Sequence, residues 1–241
     1  MAHRNADDVA IKALNTPPPS LRDLRDTERL TAAQRRFLVP FAASGLQRHF
    51  YLAGGAGLTA GYLDHRSVED LDFFSPKAVP IQPLLSMMKA LPEMKSLQWL
   101  LPRDRTTFMI TWSDESQVKV EYRHFPYPHI CAPWALGPFY IASLADLLAD
   151  KVAALTERRY ELDQLDILMS LEHLEEFDLQ AGIELAERKF RLIGELESTA
   201  YERMNTPLDK IPERLNRPAH ARALLDAWLG SGATVAKSKA D

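Results

Sequence analysis

The rhythm of apolar and polar positions changes twice along the chain. Up to residue 48, a polar start and the Pro17-Pro18-Pro19-Ser20 break lead into a charged run, Arg22 to Leu30. A helical pattern then opens at Thr31 and carries Phe37, Leu38 and Phe41. Between 49 and 140 the apolar runs shorten. Phe50 to Ala53 reads as a strand, Gly54-Gly55 as a break, Ala56 to Leu63 as a helix, Asp70 to Phe74 as a second strand and Pro83 to Leu91 as another helix. Thr106 to Trp112 and Gln117 to Arg123 read as a hairpin across Ser113 to Ser116. Phe125 to Pro138 is rich in proline and aromatics, has no period, and reads as a long loop. Beyond 140 the pattern is helical. Ser143 with Asp146 three residues later is an acidic form of the capping box. The helix it opens is read as continuous through Asp166. Asp178 is expected to cap a second helix to about Glu197, and a last helix runs from Pro218 to Leu229. The expectation is an α/β (α+β) protein with a small mixed sheet: an N-terminal helical segment (1–48), an α/β core (49–140), a helical domain (141–229) and a tail (230–241) that frays.

Composition narrows the class. The chain has 241 residues, with 29 Lys and Arg against 33 Asp and Glu, a net charge of −4. No apolar run approaches the ~18 residues of a membrane span, and the first ten residues, MAHRNADDVA, carry no apolar signal core. Cys131 is the single cysteine, which excludes an internal disulfide and a cysteine-based zinc site. A cytoplasmic protein with no membrane partner is expected. Its charge argues against blanket nucleic-acid coating but leaves a local basic groove open. Arg188, Lys189, Arg191, Arg203, Lys210, Arg214, Arg217 and Arg222 supply many cations late in the chain, diluted by acids, so an RNA-binding face and a solvated helical surface account for them equally.

The chemistry concentrates in Tyr51 to Ser75. Asp70 and Asp72 flank Leu71, so on a strand they share a face. Two adjacent carboxylates suit Mg²⁺, whose remaining positions are filled by phosphate oxygens and water. Acid-x-acid pairs occur five times in the chain, so spacing alone decides nothing. What singles out this pair is its strand and the strand–Gly54-Gly55–helix unit before it, which lets a backbone approach a phosphate closely. Glu121 alternates with Val120 and Tyr122, on the side of Lys119 and Arg123, and is a third acid able to project beside the pair from a neighbouring strand. A plain amphipathic edge strand explains Glu121 equally well. Arg66 is placed to contact a phosphate or to brace Asp70, and Ser67 to hydrogen-bond a phosphate. Lys151 falls on the apolar stripe of the helix opened at Leu144, about 20° from it at about 100° per residue. Arg158, Arg159 and Asp166 lie within about 60° of the stripe by the same reckoning, while Asp150, Glu157 and Glu161 fall on the solvated side. Charges on a buried stripe are costly unless paired or used. A Lys151–Asp166 structural pair and a phosphate-binding Lys151 placed by Arg158 or Arg159 and Asp166 are both open.

This constellation resembles the DNA polymerase β-like nucleotidyltransferase superfamily. More closely, it resembles the AbiEii/AbiGii toxin family, through Gly54-Gly55, the block His65-Arg66-Ser67-Val68-Glu69-Asp70-Leu71-Asp72-Phe73-Phe74 and the helix Lys151-Val152-Ala153-Ala154-Leu155, over about residues 50–170. Ala56 stands where Ser or Thr is common after the glycines, Glu69 is an extra residue before the aspartates, and the third acid is Glu rather than Asp. The resemblance implies a polymerase β-like domain followed by a helical domain, and NTP-dependent nucleotidyl transfer. It implies two Mg²⁺ ions on Asp70, Asp72 and Glu121, with Lys151 also catalytic. Gly54, Gly55, Arg66, Ser67, Lys151, Arg158, Arg159 and Asp166 would bind the nucleotide's phosphates. It further implies a tRNA acceptor and a toxin's place beside a cognate antitoxin. An aminoglycoside-like or protein acceptor is the alternative, as is a degenerate relative that binds nucleotide without turnover, since fold and motif do not fix the acceptor.

Overall fold

The computed structural model describes residues 11–19, 21–101, 105–158, 160–175 and 177–233. The chain divides into two compact units. Among the described residues, one is Thr16–Leu147 and the other joins those from Leu148 onward to residues 11–15. The segment 1–48, set apart in the sequence, is therefore split between them. The helix Leu144–Glu157 is the place in the sequence where one unit ends and the other begins.

The first unit is built on a sheet that has seven strands among the described residues. These are β1 (Tyr51–Ala53), β2 (Asp70–Ser75), β3 (Met94–Leu100), β4 (Arg105–Trp112), β5 (Gln117–His124), β6 (Trp134–Leu136) and β7 (Phe139–Ile141), in the order β3-β4-β5-β2-β1-β7-β6. β2 pairs parallel with β5 and antiparallel with β1, and β1 pairs parallel with β7. The alternation expected for β2 and β5 holds. Leu71, Phe73, Val118, Val120 and Tyr122 are buried, and Asp70, Asp72, Lys119 and Glu121 face the other side, half-buried. Strands β3, β6 and β7 were not anticipated. β6 and β7 have three residues each, too few for a period to show, and β6 lies inside the expected loop.

Helix α1 (Ala32–Ser44) packs on the apolar face. Its start is a full capping box between Thr31 and Gln34, and its end is Gly45 at φ 74°, where glycine avoids the Cβ penalty. Phe41 is the centre of the core, with ring centroids 4.9 Å from Phe73, 5.7 Å from Tyr122 and 6.1 Å from Phe139. The buried Gln34 side-chain amide donates to the Val68 carbonyl at 3.0 Å, tying α1 to the approach to β2. Helix α2 (Gly54–Leu58) follows β1 directly and runs into a π-helical turn, Thr59–Leu63. The glycines are thus its first residues, not a spacer before Ala56. Helix α3 spans Ile81–Lys89 and buries Leu84 and Met88 in the same core.

The second unit is helical. After α4 (Leu144–Glu157) come α5 (Glu161–His173), α6 (Leu179–Phe190), α7 (Glu197–Met204) and α8 (Pro218–Gly230). Two expectations are corrected. The helix read as continuous through Asp166 breaks between α4 and α5, where Tyr160 is extended at φ −140°, ψ 118°. The helix from Asp178 is capped as expected, the Asp178 carboxylate accepting from Ala181 N at 2.7 Å. It ends at Phe190 rather than Glu197, because Arg191 turns left-handed at φ 60°. Arg159 and most of the tail lie outside the described residues. Among those described, no helix is long and apolar enough to cross a membrane.

Candidate active site

Register builds the site. Across the open face of the sheet, Ala53, Asp72, Glu121 and Thr107 form one row, each opposite the next on neighbouring strands. One pleat along, Asp70 stands opposite Lys119. All three expected acids therefore share one face on two adjacent strands, and Gly54 follows Ala53 at the end of the row.

The two glycines have separate reasons. Gly54 has φ +59°, and a Cβ there would run into the Asp72 carboxylate. A Cβ at Gly55 would run into the guanidinium of Arg66. The pair is needed so that one acid and one cation can lie against the main chain at the start of α2. Arg66 is buried and donates to the Ser67 carbonyl at 3.2 Å, and Ser67 is exposed.

Lys119 went unassigned in the sequence, and it sits among the acids. Its Nζ lies 2.7 Å from Asp70 Oδ2 and 2.9 Å from Glu121 Oε1, with the side chain 31% exposed. Burial alone would lower its pKa, but the two carboxylates outweigh that and raise it. Glu121 is also held from β4: Thr107 Oγ1 donates to it at 3.3 Å, and Arg105 lies 3.7 Å away. The alternation that marked Glu121 also marked Lys119. What the sequence could not supply was the parallel register that sets Lys119 against Asp70.

The donor set suits Mg²⁺. It is all oxygen, the ligand type that hard divalent ions take. Among the described residues, no three His, Cys, Asp or Glu side chains are arranged to hold a metal ion by themselves. Mg²⁺ commonly takes one or two carboxylates and completes its shell with phosphates and water.

The other expected residues lie in the helical unit. Lys151 Nζ is 2.8 Å from Asp163 Oδ1 and 2.7 Å from Asp166 Oδ2. The Lys151 side chain is 9% exposed and both acids are fully buried. Arg158, itself 59% exposed, donates from Nε to Asp163 at 2.9 Å. The Lys151–Asp166 pair is present, and Asp163, passed over as one of the five acid-x-acid pairs, is its third member. Asp150 was expected on the solvated side. Instead it pairs at 2.7 Å with Lys189, which is buried and so removed from any basic surface. A cavity of about 370 Å³ in this unit is lined by Tyr160, Gln164, Arg203 and Lys210 among others, and includes none of the expected site residues.

No protein-family profile matches the chain. The uncharacterized protein aq_aa25 of Aquifex aeolicus (strain VF5) is 28% identical over 169 residues, 68% of this chain and 78% of that protein. The crystal structure of JHP933 from Helicobacter pylori aligns with a TM-score of 0.49 at 18% identity, covering 84% of this chain and 95% of that one. That of a nucleotidyltransferase candidate from H. pylori aligns with a TM-score of 0.52 at 17% identity, over 84% of this chain and 97% of the other. The chain carries a nucleotidyltransferase-like α/β fold followed by a helical region.

Proposed function

We propose that the chain transfers a nucleoside monophosphate from an NTP to an acceptor hydroxyl. The observation that carries this is the Asp72–Glu121 row, with Asp70 one pleat along, ending at Gly54-Gly55 in a nucleotidyltransferase-like fold. The acceptor oxygen attacks the α-phosphorus in line. A new P–O bond forms, the bond to the β-phosphate breaks, and pyrophosphate leaves. The hydroxyl proton passes to a carboxylate, for which we assign Glu121. Divalent metal held by Asp70 and Asp72, with Glu121 beside it, would stabilise charge on the phosphate oxygens. Main-chain N–H groups of Gly54 and Gly55 would meet the phosphates, with Arg66 and Ser67 beside them.

Lys151, Arg158, Arg159 and Asp166 are proposed as triphosphate contacts on the resemblance alone. The buried pairing of Lys151 with Asp163 and Asp166 favours a structural cross-link. The same resemblance supports tRNA as the acceptor and a toxin's role neutralised by a cognate antitoxin.

The test is direct transfer. Purified protein is incubated with Mg²⁺, each α-labelled nucleoside triphosphate in turn and total bacterial RNA, beside an Asp70→Asn/Asp72→Asn control. Label is expected in tRNA with one nucleotide. The control should lose more than the ~10–100-fold that outer-shell partners of a metal site cost. Label in protein or a small molecule would replace the acceptor. Absence of metal-dependent nucleotide binding by calorimetry would overturn the reading.

A further inference from the structure

We infer that Lys119 is the protein's own substitute for one of two cations, so that the site takes a single divalent ion together with its nucleotide. The inference rests on the nucleotidyl-transfer reading above. Three carboxylates gathered for phosphate chemistry invite two ions, one of them shared with the third acid. Here the space between Asp70 and Glu121 already holds an ammonium, at 2.7 and 2.9 Å, the range of charge-assisted hydrogen bonds.

The placement follows from the strand. Val118 and Val120 on either side are buried in the core, so alternation fixes the face to which Lys119 belongs. Parallel register sets it opposite Asp70, and the two-residue repeat sets it beside Glu121. One short span therefore reaches both acids. Thr107 and Arg105 hold Glu121 in the same position from β4.

Charge favours one ion. Lys119 stands against both Asp70 and Glu121, and Arg105 lies 3.7 Å from Glu121, so the Asp70–Glu121 side of the site already carries positive charge. A second ion between Asp70 and Glu121 would have to expel the ammonium or lie beside it as a like charge in a partly buried site. The two cations also differ in chemistry. An ammonium supplies charge and three N–H donors but no coordination position. Lys119 can neutralise Glu121 and donate to a phosphate oxygen, but it cannot bind and activate a hydroxyl as a metal does. The single ion, on the Asp70–Asp72 side, is then the one that meets the triphosphate.

The experiment counts ions on the full chain. Mn²⁺ is titrated calorimetrically in the presence of the non-hydrolysable α,β-methylene analogue of each nucleotide in turn, and the loaded samples are examined by electron paramagnetic resonance. Wild type and Lys119→Arg should bind one Mn²⁺ per chain with an uncoupled spectrum. Lys119→Met should bind two, with the spin coupling of ions about 4 Å apart. Two ions in wild type would overturn the inference and leave nucleotidyl transfer standing. One ion in a folded Lys119→Met would also overturn it. If that variant does not fold, the wild-type count decides: one ion supports the inference and two refute it. Failure of wild type to bind any analogue with Mn²⁺ would overturn both this inference and the reading beneath it.

Discussion

At the scale of the residue, the helical unit turns on Lys151. Its ammonium is the shared partner of two fully buried carboxylates on α5. Lys151→Met would leave Asp163 and Asp166 buried without it, a loss of about 3–5 kcal/mol by the general cost of breaking a buried pair. Urea denaturation should show that loss. Nucleotide affinity measured on the folded protein separates it from any role in triphosphate binding. Periodicity exposed Lys151 in the sequence because a charge on an apolar stripe stands out. It did not expose Asp163, because the phase of α5 was carried across a break that the sequence does not mark. No glycine or proline lies between Glu157 and Glu161. At the break Tyr160 is extended, both acids of α5 meet Lys151, and Arg158 donates to Asp163 at 2.9 Å. Lys119 was hidden for a related reason. Its strand face was legible, but its partner on a neighbouring strand was not.

At the scale of the element, the Ser143–Asp146 cap does more than start α4. Ser143 Oγ donates to Asp146 at 2.6 Å, and Asp146 N donates back to Ser143 Oγ at 3.1 Å. The same fully buried carboxylate accepts from Ile130 N and Cys131 N, each at 3.1 Å. It therefore pins the proline- and aromatic-rich connection whose lack of period made it look like unanchored loop. Each hydrogen bond to a charged group contributes ~1.5–3 kcal/mol. Asp146→Ala should cost more than about 3 kcal/mol and speed amide hydrogen exchange at Ile130 and Cys131. Asp146→Asn should retain part of the protection. The cap was legible from spacing. Its second use was not, because it depends on where a chain segment fifteen residues away is brought by β6 and β7, both too short to announce themselves.

At the scale of the whole molecule, pH and core packing meet at β5. Tyr122 is fully buried, and burial raises its phenol pKa well above the ordinary 10.0. Lys119 on the same strand is raised from 10.5, the two acids overcoming the effect of burial. A group whose pKa is higher in the folded state contributes stability that is complete below its unfolded value and is lost as pH rises through the folded one. These two groups should therefore leave stability flat from neutrality to about pH 10 and lower it above that, with Lys119 contributing modestly because water screens a third of it. Denaturant midpoints across pH 7–11.5 check this; a fall already complete by pH 9 would contradict it. The switch to helical texture was visible in the sequence near residue 140, and the described elements from Leu144 onward are helices. The membership of 16–48 in the sheet unit was not visible, because its apolar positions name no partner. That partner is the aromatic core. Phe73 and Tyr122, next in sequence to Asp72 and Glu121, stack at 5.7 Å behind them, and Phe41 of α1 wedges against both. Strand pairing spaces the acids, and hydrocarbon backs the sheet that carries them. A lineage of such proteins could retune its chemistry by resizing one phenyl ring on a distant helix, leaving every charged group in the site unaltered.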